Sequence, residues 1–116
     1  MYNKIILIGR LGSDAELKTT AGGMSVVNLS MATYSSRKVD DKWVETTEWH
    51  SVPCFGATAE RVSKYRKGDM IFVDGMLHYN QYVNSDGIKM SKAEIRPDII
   101  RLTTPPPPKP PEDKAW

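Results

Sequence analysis

The chain has 116 residues, 40% hydrophobic and 26% charged, which is enough for one domain around one core and ordinary for a globular protein. No apolar run approaches the roughly 20 residues of a membrane span, and MYNKIILIG is too short and strand-like for a signal peptide, so a cytoplasmic protein is expected. A formal net charge of +2 permits an anionic partner without demanding one, while one cysteine and two histidines rule out an internal disulfide and argue against a zinc site.

Most segments read as strands. NKIILIGRL, Asn3 to Leu11, is apolar and β-branched and stops at Gly12. AELKTT, Ala15 to Thr20, leads into the turn AGG at Ala21 to Gly23. MSVVNLSMATY, Met24 to Tyr34, alternates, which sends Val27, Leu29 and Met31 to the core and Asn28, Ser30 and Ala32 outward. SSRKVDDKW, Ser35 to Trp43, reads as a polar loop. TTEWHSVPCFG, Thr46 to Gly56, follows as a third long strand.

After Gly56 the period changes. ATAERVSKYRKG places Ala59, Val62 and Tyr65 at helical spacing, with a basic last turn and Gly68 where a C-terminal cap belongs. Strand character returns over DMIFVDGMLHYNQYV, Asp69 to Val83. NSDG, Asn84 to Gly87, is a hairpin turn signal, and IKMSKAEIRPDIIRL, Ile88 to Leu102, is the return strand. Pro97 marks its far end as an edge or a bulge. TTPPPPKPPEDKAW then breaks the pattern: consecutive prolines favour polyproline II and enter neither sheet nor helix. The expected division is a folded domain over 1–103 and a proline-rich tail over 104–116. Five strands with one helix between the third and fourth is the order of the OB-fold, a small all-β Greek-key barrel that binds oligonucleotides on one face and in its loops.

The third strand carries the functional signal. By parity, Trp49, Ser51, Pro53 and Phe55 share one face, and Glu48, His50, Val52 and Cys54 the other. Two large aromatics spaced by small residues make a platform on which the bases of a single strand can stack. The competing reading makes Trp49 and Phe55 core residues; the small spacers, and the aliphatic alternation elsewhere, oppose it. Trp43 and Tyr82 lie at the outer ends of the neighbouring segments. Lys4, Arg10, Arg37, Lys38, Lys64, Arg66 and Lys67 are candidates for a phosphate backbone, though ordinary solubilising charge accounts for about half of such a set. Arg37 and Lys38 beside Trp43 are the most suggestive, and Asp40 and Asp41 weaken their field. His50 points away from the platform, into a core or an interface. No Ser/His/Asp or Cys/His constellation, nuclease-like carboxylate spacing or phosphate-cradling glycine loop is present, so no catalysis, metal or cofactor is expected.

The stretches NKIILIGRLGSDAEL, VNLSMAT, TEWHSVPCFG, Lys67–Gly68 and VDGMLHYNQYVNSDG resemble those of bacterial-type single-stranded DNA-binding proteins, over roughly Met1 to Leu102. The resemblance implies an OB-fold homotetramer that binds single-stranded DNA without sequence preference in replication, recombination and repair. It implies stacking by Trp49, Phe55 and Tyr82, backbone contacts by Lys4 and Lys67, and a subunit interface at His50 and Asn3. It leaves the DNA-contacting set completed by Trp43, Arg10, Arg37 and Lys38. Arg37 falls where relatives often carry an aromatic, so either Trp43 takes that place or Arg37 stacks. Ser51, Ala57, His78, Asn80 and Gln81 stand where relatives are often basic, so a shallow salt dependence is expected. Relatives end in an acidic tip that docks replication and repair proteins; here EDKAW is either a degenerate tip or an inert end. The alternative function is an accessory subunit of the same fold that works mainly through protein contacts.

Overall fold

The computed structural model describes residues 1–103; the proline-rich tail lies outside the described residues. Its elements are β1 (Ile5–Leu11), β2 (Lys18–Thr19), β3 (Ser25–Val39), β4 (Lys42–Phe55), α1 (Gly56–Val62), β5 (Met70–Val83) and β6 (Lys89–Leu102). The ladder runs β2-β3-β1-β5-β6, every pair antiparallel, with β4 on the other edge of β3. β4 packs against β6 and brings the two ends of the sheet together. With β2 only two residues long, five long strands and one short helix remain, as the OB-fold order requires.

Strict alternation builds the core. Val27, Leu29 and Met31 of β3 face Val52 and Cys54 of β4, Ile71 and Val73 of β5, and Ile95 and Ile100 of β6, all buried. Each such aliphatic side chain contributes about 1.5–3 kcal/mol by leaving water. Ala59, Val62 and Tyr65 plug the barrel from the helix side, as their spacing predicts.

Three expectations change. The helix ends at Val62, one turn before Tyr65, because the chain turns to pair with the barrel: Ala15 N–H donates to the Tyr65 carbonyl and Gly68 N–H to that of Leu11. Gly68, at φ +88°, therefore serves a turn closed by Asp69 rather than a helix cap. The polar stretch from Ser35 to Trp43 is not a loop but the outer half of a β3–β4 ribbon, paired out to Val39 and Lys42. Asp40 and Asp41, at φ +48° and +63°, make its two-residue turn, a conformation aspartate tolerates better than most residues. Ala32 is buried although it faces outward; its partners in the two flanking ladders are Arg10 and Trp49, both long side chains.

Pro97 sits at a bulge, in keeping with the sequence reading: Asp74 pairs with Ile99, but Gly75 pairs with Pro97. A side chain at Gly75 would run into the Arg96 carbonyl and the Pro97 backbone. Gly75→Ala is therefore expected to cost about 1–3 kcal/mol, read as a lower urea midpoint. Gly22→Ala, whose added carbon meets Thr20 at an ordinary 3.9 Å, should leave the midpoint unchanged.

Cys54 is buried, and burial pushes its thiol from an ordinary 9.0 up to about 11. At pH 8 that lowers the thiolate fraction about a hundredfold, so alkylation in the native state should be slower than in denaturant by about that factor. Above pH 9 the unfolded thiol ionises while the folded one holds its proton, so this group's contribution is lost as pH rises from 9 toward 11.

Candidate nucleic-acid interface

The register of the β3–β4 ribbon decides which side chains share a face. On its outer face the cross-strand pairs are Lys38 with Trp43, Ser36 with Glu45, Tyr34 with Thr47, Ala32 with Trp49, Ser30 with Ser51, Asn28 with Pro53 and Val26 with Phe55. Trp43, Trp49 and Phe55 thus stand on one face at six-residue intervals, about 20 Å apart along the strand. They are 72%, 60% and 53% exposed, so none is a core residue. The opposite face of the same strand carries buried Val52 and Cys54, as parity requires.

The platform is held in place. Ser51 Oγ donates to Asn28 Oδ1 at 2.9 Å, which ties the middle of β4 to β3. The Trp49 indole lies over Gly12, where any side chain would overlap its six-membered ring. Gly12, the second glycine of GRLG, thus gives Trp49 its seat. Tyr34, 64% exposed, joins the same face between Trp43 and Trp49. Sequence reading passes over it, although it ends the alternating strand with the outward parity of Asn28, Ser30 and Ala32; the register adds that this is the face that carries Trp49.

A groove runs between this platform and β6. One part, about 400 Å³, lies between Trp49 and Ser51 on one side and Lys92 and Ala93 on the other. A second, about 340 Å³, lies between Pro53 and Phe55 and the β6 residues Arg96 and Pro97.

The remaining expected residues are dispersed. Arg37 pairs with Val44 on the reverse of the ribbon, away from Trp43. Lys38 shares the face of Trp43 and lies 3.9 Å from Asp41. Tyr82 is on the β5–β6 hairpin, opposite Met90, and half exposed. Arg10 donates to the Gly68 carbonyl at 2.9 Å, and the Lys67 backbone N–H to Asp14 Oδ1 at 2.8 Å, with the Lys67 side chain in solvent. Lys4 Nζ lies 3.0 Å from Asp74 Oδ1 on the outer face of β1; hydrogen bonding to that carboxylate raises its pKa. His50 Nε2 lies 2.9 Å from Thr33 Oγ1, half-buried and off the platform. Asn3 holds both backbone groups of Leu77, at 2.8 and 3.0 Å, and so extends the β1–β5 ladder through its amide.

Among the described residues, no group of three or more His, Cys, Asp or Glu side chains is arranged to hold a metal ion, and no helix is long and apolar enough to cross a membrane. The arrangement offers stacking surface and cations.

The fold has solved counterparts. A solved SSB of Plasmodium falciparum in complex with ssDNA superposes with a TM-score of 0.77 at 28% identity, covering 88% of this chain and 95% of that one. The single-stranded DNA binding protein of Thermus aquaticus, solved as a deletion mutant, superposes with a TM-score of 0.74 at 30% identity, over 87% of this chain and 50% of that one. A single-stranded DNA-binding protein of Xylella fastidiosa is 39% identical over 102 residues, 86% of this chain and 62% of the relative. One of Xanthomonas axonopodis is 42% identical over 95 residues, 80% of this chain and 53% of the relative. The chain thus spans a little over half the length of these relatives. The profile of the Single-strand binding protein family matches residues 2–103, so the chain belongs to that family.

Proposed function

We propose that this protein binds single-stranded DNA without sequence preference and without catalysis, and so covers exposed strands in replication, recombination and repair. The observation that carries the reading is the run of exposed aromatics Trp43, Tyr34, Trp49 and Phe55 on one face of the ribbon. Each base stacked on such a ring is worth about 1–3 kcal/mol, and every base has a face to stack. Cations along the groove add a term that falls as salt displaces it. That a family member has been solved on ssDNA supports the same reading.

The functional unit is a homotetramer. β1 pairs with β3 only at Arg10 and Leu11, and Gly9 lies against the Ala32 carbonyl, so among the described residues the other edge of its Ile5–Ile8 stretch has no paired strand. Its outer face presents Ile6 and Ile8, both more than half exposed, next to Phe72 and Ile99. An apolar sheet face beside an open strand edge fits a second copy of the chain. Such an assembly gives one strand several platforms, with avidity.

The test is intrinsic tryptophan fluorescence during titration with oligo(dT) at two salt concentrations. Quenching that saturates, with weaker affinity at higher salt, is the expected result. No binding at low salt, from a protein that remains folded, would give the lead to the accessory-subunit reading.

A further inference from the structure

The platform is short of charge where it is broadest. Between Trp49 and Phe55, β4 offers only Ser51 and Pro53, and the facing β3 residues are Ser30 and Asn28. A strand with bases on this surface still needs cations for its phosphates. The expected cations supply little there: Lys4 is paired with Asp74 on the outer face of β1, Arg37 lies behind the ribbon, and Arg10, opposite Ala32, is bonded to the Gly68 carbonyl; Lys18, opposite Val26, stands on this face at its Phe55 end.

The other wall of the groove does carry charge. Lys92 borders the part beside Trp49 and Ser51, and Arg96 the part beside Pro53 and Phe55. Both residues are exposed. Rising numbers on β6 thus follow rising numbers on β4, so the two strands run the same way along the seam. Lys92 and Arg96 are four residues apart and share a face, about 13 Å from one another. Arg96 is braced: its Nη2 lies 3.0 Å from His78 Nε2, which leaves Nη1 and Nε of the guanidinium for a further acceptor. Glu94, between them, is partly buried.

We propose that Lys92 and Arg96 form the phosphate-contacting wall of the groove, with the strand's bases on the Trp49–Phe55 side and its backbone against β6. This rests on the single-strand reading above and says where the strand lies. Stacking and charge then come from different strands of the barrel, β4 and β6.

The test separates the two readings. Oligo(dT) affinity is measured across a salt series for the parent, Lys92→Ala, Arg96→Gln, the double variant, Trp49→Ala, and Lys42→Ala on the reverse of the ribbon. Each phosphate contact removed should lower the slope of log affinity against log salt by about 0.7, and the double variant by about 1.4. Trp49→Ala should lose affinity with the slope unchanged, and Lys42→Ala should match the parent. Thermal unfolding checks that each variant is folded, and Arg96→Lys should restore the slope. If the parent binds and Trp49→Ala weakens it, but the double variant keeps the parental slope, the β6 wall is wrong and the binding function stands. An equal loss of slope in Lys42→Ala would also overturn it, since the effect would then be one of net charge. A parent that does not bind overturns both.

Discussion

Trp49→Ala is expected to weaken oligo(dT) binding by about 1–3 kcal/mol, roughly 5- to 150-fold, and to abolish much of the fluorescence quenching. The size follows from the position. Trp49 stands at the centre of the ribbon face, six residues from Trp43 on one side and six from Phe55 on the other, so a strand that reaches both must cross it. Its ring is 60% exposed, which leaves most of its stacking surface free for a base. The same exposure limits the structural cost. The ring's recorded close approach is to Gly12, and the buried side chains of β4 point the other way. Equilibrium unfolding should therefore show little change while binding falls. The opposite pattern, a large fall in stability with affinity per folded molecule preserved, would make Trp49 a packing residue and remove the platform.

Tyr34→Ala and Trp43→Ala test whether the face extends along the ribbon. Both should cost less than Trp49→Ala on a short oligonucleotide, and relatively more on one long enough to reach the hairpin turn. The measurement is the same titration at two oligonucleotide lengths. Equal, negligible losses at both lengths would confine the platform to Trp49 and Phe55.

How much of this could be read in the sequence depends on where the core is. Wherever one face of a strand is buried, alternation fixes the other: Val27, Leu29 and Met31, then Val52 and Cys54, place their neighbours without further information. Trp49 and Phe55 are legible for that reason. The outer half of the β3–β4 ribbon has no buried face, and Ser35 to Lys42 carries no apolar alternation, so nothing in its composition distinguishes a strand from a loop. Once the ribbon is missed, the side of Trp43 is missed with it, and Arg37 and Lys38 look equivalent although they face opposite ways. The helix fails differently. Ala59, Val62 and Tyr65 are buried as the period requires, but Tyr65 reaches the core from a turn, because hydrogen bonds to Leu11 and Ala15 compete with helix continuation. Lys92 and Arg96 could not be found by local pattern, since what matters is the packing of β6 against β4 from the far end of the sheet.

Ile8→Asp is expected to reduce the proposed tetramer to smaller species at micromolar concentration, measured by sedimentation. The barrel should tolerate the change, because Ile8 is 57% exposed and its core-side neighbours Leu7 and Gly9 are untouched. At an interface the new carboxylate would leave water next to Phe72, where the flanking cations of this face, Arg10 and Arg101, already donate to the Gly68 and Ile100 carbonyls; its desolvation costs several kcal/mol per copy. The native charges on this face show the contrast. Ile6 stands opposite Asp74, but Asp74 already holds the Lys4 ammonium at 3.0 Å, so a partner that covers the patch covers a compensated pair. The binding consequence is specific. A short oligonucleotide confined to one protomer should bind Ile8→Asp as it binds the parent, because the β4–β6 groove is intact. A long one should lose the avidity of several linked platforms, a factor on the order of a hundred or more. Unchanged mass together with unchanged long-oligonucleotide affinity would show that copies meet elsewhere, and would leave the apolar face of β1 without an occupant.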